Sequence, residues 1–105
     1  MKRVIDGKVY DTKTAEAIHD WSNGYYQNDF NFCNETLYRT KKGAWFIYGE
    51  GGAMSGYARR CESNSFTGGD GLRVLTEAEA LAWLEEHDAD ADVIQQHFPQ
   101  LVEEA

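Results

Sequence analysis

The sequence predicts an α+β domain: a small antiparallel sheet of about four to five strands, with an N-terminal helix and C-terminal helices packed on it. Three observations carry that expectation. Aromatic and β-branched residues concentrate in two runs, NETLYRT and AWFIYGE, joined by the short connection KKG. The run TEAE has the composition of a helix start and precedes an apolar stripe at helical spacing. The 105 residues, 42% hydrophobic, are enough for one domain with one modest core.

Taken in order, RVIDGKVY alternates apolar residues around Asp6-Gly7, a dipeptide that favours a type I′ turn, so residues 3–5 and 8–10 are expected as a hairpin. DTKTAEAIHDW reads as a helix with Asp11 or Thr12 as N-cap, Ala15, Ile18 and Trp21 on its inner face and Gly24 just past its end. In the two β runs, Leu37, Trp45 and Ile47 share a buried face, and Gly43 takes a positive φ in the connection. Tyr38, Phe46 and Tyr48 then lie on the opposite face, which is aromatic as well and needs a cover. Residues 49–71 are glycine-rich, with a short helical turn expected around 54–60, and LRVL at 72–75 reads as a further strand. Thr76 and Glu79 form a capping box, Leu75 and Ala80 a weak staple, and Glu77 and Glu79 suit the positive end of the helix dipole. Leu81 and Leu84, with Ala80 or Trp83 beside them, make the core stripe of a helix ending near His87. A second short helix, about 91–97, stops before Pro99.

Charge is distributed unevenly. The net charge is −8, yet residues 1–73 hold ten Lys and Arg against nine Asp and Glu, while residues 74–105 hold nine acids and no Lys or Arg. Such a segment repels nucleic acid, so direct DNA or RNA binding is not expected, and the partner it attracts is a protein with a basic, nucleic-acid-binding surface. No apolar run reaches the ~18 residues of a membrane span, and the N-terminus has no apolar stretch of signal-peptide length, so a cytoplasmic location without membrane contact is expected. Cys33 and Cys61 form no CxxC pair and are expected as reduced thiols.

Residues 85–98, EEHDADADVIQQHF, invite a metal reading. As a calcium loop starting at Asp88, Asp90 and Asp92 fall on positions three and five, but Val93 replaces the required glycine and Pro99 the bidentate glutamate. His87 and His97 fit no metalloprotease spacing. No metal or other cofactor is therefore expected. GEGGAMSG lacks the G-K-[ST] ending of a phosphate loop, and its Gly49, Gly51, Met54 spacing fails the dinucleotide pattern too. Arg59, Arg60 and Arg73 could hold an anionic small molecule, or merely balance neighbouring carboxylates. Pairing Cys33 or Cys61 with one of three histidines has no positional support, and no catalytic motif emerges, so an enzyme is not expected. Binding remains: Glu77, Glu85, Glu86, Asp88, Asp90 and Asp92 form an acidic surface, with Phe46, Tyr48, Tyr57 and Trp83 as apolar anchors where exposed. The plainer alternative is that these acids serve solubility and helix capping.

Three stretches, KRVIDGKVYDTKTA, ETLYRTKKGAWFIYGEGGAMSGYA and LTEAEALAWLEEHDADADVIQQHF, resemble a family of small acidic proteins encoded by bacterial phages, plasmids and integrative elements, with anti-CRISPR proteins among its members. The similarity covers most of the chain, is clearest in ETLYRTKKGAWFIYGEGG, and excludes CESNSFTGGD at 61–70. It implies a non-enzymatic inhibitor in the cytoplasm of a bacterial host that binds a CRISPR–Cas effector complex; the acidic last third of the chain adds the expectation that it acts as a DNA mimic, blocking nucleic-acid binding through its acidic surface. The resemblance carries no catalytic residues. A second reading is an accessory interaction module of a mobile element that uses the Gly-rich loop and aromatic sheet. A third is a small enzyme or binder acting on an anionic small molecule.

Overall fold

The computed structural model describes residues 1–26, 28–55, 57, 59–60, 66–67 and 69–105, with the backbone alone at 59–60 and 66–67. The elements are β1 (Lys2–Ile5), β2 (Lys8–Asp11), β3 (Glu16–Ser22), β4 (Cys33–Arg39), β5 (Trp45–Gly51), β6 (Arg59–Arg60), β7 (Phe66–Thr67), β8 (Gly69–Leu75), α1 (Glu77–Glu86) and α2 (Ala91–His97). An antiparallel sheet in the order β3-β4-β5-β8 is the centre of the molecule, and β1-β2 and β6-β7 are separate two-stranded ladders. The class is α+β, as expected. No helix is long and apolar enough to cross a membrane.

The first hairpin closes through Asp6 (φ 51°) and Gly7 (φ 76°), both left-handed as a type I′ turn requires, with Ile5 opposite Lys8. It also supplies the missing cover. Tyr10 is buried and meets Phe46 edge-on at 5.6 Å, and Phe46 stacks on Tyr38 at 5.1 Å. The β4-β5 connection places Gly43 at φ 88°, with its N–H donating to the Thr40 carbonyl.

The expected N-terminal helix is absent, and residues 16–22 form an edge strand instead. Asp11 does behave as a cap: its side chain accepts from the Lys13 N–H at 2.9 Å, and its carbonyl accepts from Ala15. That turn is not propagated. A bulge between Ala17 and His19 produces the helix-like spacing, because the extra residue lets Ile18 and Trp21, three apart, both pack on the core. One bulge in a period-two strand thus mimics the i, i+3 spacing of a helix. The helical turn expected around 54–60 is replaced by a turn at 53–55 and strand β6, and residues 56 and 58 lie outside the described ones.

The opposite face carries both helices. Leu37, Trp45 and Ile47 are buried as expected, together with Leu75, Ala80, Trp83, Leu84 and Phe98, while Leu81 is only half-buried. The capping box forms in full: the Thr76 hydroxyl accepts from the Glu79 N–H at 3.2 Å and the Glu79 carboxylate from the Thr76 N–H at 2.9 Å. α1 runs over the sheet toward Trp21, the chain turns at 87–90, and α2 returns to Trp45. There Trp45 is enclosed by Phe98 stacked at 4.9 Å, His97 edge-on at 5.8 Å and the Arg39 guanidinium at 5.2 Å.

Candidate functional site

The six acids singled out in the last third, Glu77, Glu85, Glu86, Asp88, Asp90 and Asp92, are all exposed. Five of them lie in the α1–α2 corner, where the three aspartates do local work as well. α1 ends in a Schellman motif: Ala89 donates to the Leu84 carbonyl at 3.0 Å, Asp88 to that of Glu85 at 3.4 Å, and Asp88 itself sits left-handed at φ 53°. Asp90 then N-caps α2, accepting from the Asp92 N–H at 2.8 Å, and Asp92 stands in its first turn. The alternation of aspartates is therefore the sequence of one helix stop followed by one helix start. Capping alone needs neither Glu85 nor Glu86.

The four apolar anchors divide. Phe46 and Trp83 are buried and present no surface to a partner, because the first hairpin covers one and the helix layer encloses the other. Tyr48 and Tyr57 are half-buried, and each spends its hydroxyl on a carboxylate. Tyr48 donates to Asp70 at 2.8 Å, and that bond, with burial, raises its pKa to about 12. Of Arg59 and Arg60 only the backbone is described, and Cys61 lies outside the described residues.

What the sequence did not single out is the row of residues that the sheet register assembles beneath α1. Trp21 stands opposite Glu35, Glu35 opposite Gly49, and Gly49 opposite Gly71, so one residue from each strand falls on a single line. The paired glycines leave room for the Tyr57 ring. A Cβ at Gly49 would fall within that ring, and one at Gly71 would touch it at 3.7 Å. From this seat Tyr57 donates a short hydrogen bond to Glu35 Oε2, while the Trp83 indole donates to Oε1 at 3.0 Å. Burial first, and then this bond, raise the Tyr57 pKa well above its ordinary value of 10.

Around Glu35 opens a cleft of about 530 Å³ walled by Trp21, Tyr57, Trp83 and His87, with Glu86 and Arg73 also lining it. His87 meets Trp21 edge-on at 4.6 Å and lies tilted over Trp83 at 4.4 Å, and its Nδ1 lies 2.7 Å from the Trp83 carbonyl oxygen. Cys33 lines the same cleft, but burial and the Glu35 carboxylate push its thiol pKa up, which disfavours the nucleophilic thiolate. Among the described residues, no Lys, Arg or His pairs with Glu35, whose hydrogen-bond donors are both neutral. Glu35 and Trp21 are hidden in the sequence because their proximity depends on strand register, and the local pattern puts Trp21 on a helix. No protein-family model, curated protein or solved structure matches the chain.

Proposed function

We propose that this chain is a non-catalytic inhibitor whose acidic C-terminal corner occupies the Lys/Arg-lined nucleic-acid channel of a protein partner. The observation that carries the reading is the exposure of Glu85, Glu86, Asp88, Asp90 and Asp92 within one αα corner, in a segment without Lys or Arg from Val74 onward. Duplex DNA carries about one charge per 1.7 Å of its axis. The corner is sparser than that, so it excludes DNA by filling the channel as well as by neutralising it. The identification of the partner as a CRISPR–Cas effector complex rests on the sequence resemblance to mobile-element proteins alone, as does a setting in the bacterial cytoplasm.

The test is displacement of labelled duplex DNA from a panel of purified effector complexes. The variant carries Glu85→Gln, Glu86→Gln, Asp88→Asn, Asp90→Asn and Asp92→Asn. Asn tolerates the left-handed position at 88 and retains the N-cap at 90, so charge is removed while the corner is kept. The wild-type protein should displace DNA from at least one complex and the variant should not. Undiminished displacement by the variant, or none by the wild type, overturns the reading.

An accessory interaction module is supported by a different observation. Tyr26, Phe30 and Met54 are 85%, 67% and 71% exposed, and the Met54 N–H binds the Phe30 carbonyl, joining the β3–β4 loop to the Gly-rich segment. Partner binding through these side chains would be indifferent to ionic strength.

A further inference from the structure

We propose that the cleft around Glu35 receives one arginine side chain of the basic partner, so that a single guanidinium is read by shape as well as charge. The inference rests on the reading of the acidic corner as the contact for a basic protein, and it names the group that the adjoining cleft recognises.

A half-buried carboxylate in an aromatic surround is costly unless its charge is met. Among the described residues, Glu35 has only the Trp83 indole and the Tyr57 phenol as donors, each occupying one oxygen. A carboxylate oxygen has two lone pairs, so both retain an acceptor site. Trp21 and Tyr57, both half-buried, supply ring surface around it, while the buried Trp83 contributes its indole N–H to Glu35. A planar guanidinium suits both features, since it stacks on aromatic faces and donates two parallel N–H bonds to a carboxylate. An ammonium offers only a point charge. Glu86 links the cleft to the exposed acids, lining it while belonging to the corner. Arg73 is the opposing group. It lines the cleft and its positive charge is felt by both Tyr57 and Glu79, so it acts against an incoming cation.

The probe is N-acetyl-arginine amide, titrated into the 15N-labelled full chain while the three tryptophan indole N–H signals are followed. Trp21 and Trp83 line the cleft, and Trp45 lies under α2 and serves as the internal reference. The Trp21 and Trp83 signals should shift and saturate with a Kd on the order of 1 mM, as fits a single side chain, and Trp45 should stay in place. N-acetyl-glutamine amide should produce no shift, and N-acetyl-lysine amide (free side-chain amine) a weaker response than arginine. Glu35→Gln should weaken arginine binding at least about tenfold, the scale of a lost charge-assisted bond, while an unmoved Trp45 signal shows that the fold is kept. Arg73→Gln should tighten binding and does not depend on disturbing the Glu35 site.

Equal responses to the neutral probe, unchanged affinity in Glu35→Gln, or lysine matching arginine each overturn the proposal. Asp88→Asn, Asp90→Asn and Asp92→Asn together separate it from the reading it rests on. Arginine titration that persists in this variant, while DNA displacement by even the wild type fails, leaves the cleft standing and removes the assigned partner. DNA displacement without any arginine response in the cleft does the reverse.

Discussion

Gly49 matters for what it leaves out. Its missing side chain lets the Tyr57 ring lie across β5, and Tyr57 in turn holds one oxygen of Glu35. Gly49→Ala should expel the ring, at about 1–3 kcal/mol by analogy with overpacked cores, read as a lower urea midpoint. Tyr57→Phe separates the hydrogen bond from the packing. A bond to a charged group contributes about 1.5–3 kcal/mol, so the variant should lose up to that much at neutral pH. The sign with pH follows from the raised pKa. The neutral phenol is the donor, so its contribution is fully present below the ordinary value of 10 and is lost as pH rises through the higher folded value. The stability gap between wild type and Tyr57→Phe, measured by denaturation at a series of pH values, should therefore close above pH 10. None of this was legible in the sequence, where Gly49 and Tyr57 belonged to a glycine-rich stretch without pattern and Glu35 to an ordinary strand. Contacts that span three strands depend on register, which local composition does not encode.

Elements with strong local signals were legible and those decided by tertiary context were not. The Asp6-Gly7 hairpin, the capping box at Thr76 and Glu79 and the bounds of α2 followed from residues within a few positions of one another. Residues 16–22 did not, because Asp11 offers a helix cap and the bulge before His19 imitates helical spacing. Pairing of β3 with β4 overrode a weak local preference. The α1–α2 corner shows how closely capping and charge overlap. Asp88 is in the left-handed conformation that glycine adopts at lower cost, so Asp88→Gly should raise stability by about 0.5–1 kcal/mol. An increase in the urea midpoint with an unchanged slope checks this. A decrease would mean that the aspartate side chain stabilises the corner beyond its backbone role.

The molecule is layered: the first hairpin lies against one side of the central sheet through Tyr10, and the two helices cover the other. The shortest dimension is 20 Å, and the radius of gyration of 15.2 Å exceeds the roughly 13 Å of a compact chain of this length. This thin build leaves much surface for a small core, and the surface is divided by charge. The acidic third forms the helix layer, and the aromatic cleft opens between that layer and the sheet. The overall class and the acidic segment were readable from composition and periodicity, whereas the cleft appeared only when strands and helix were placed together. Ionic strength tests most directly whether the acidic corner drives partner binding. The inhibition constant for DNA displacement should be measured from 50 to 200 mM salt. Electrostatic docking predicts a loss of about tenfold or more across that range, with most of the dependence gone in the five-fold neutral variant. An inhibition constant that stays flat with salt in the wild-type protein would contradict it and assign binding to the exposed aromatic loop instead.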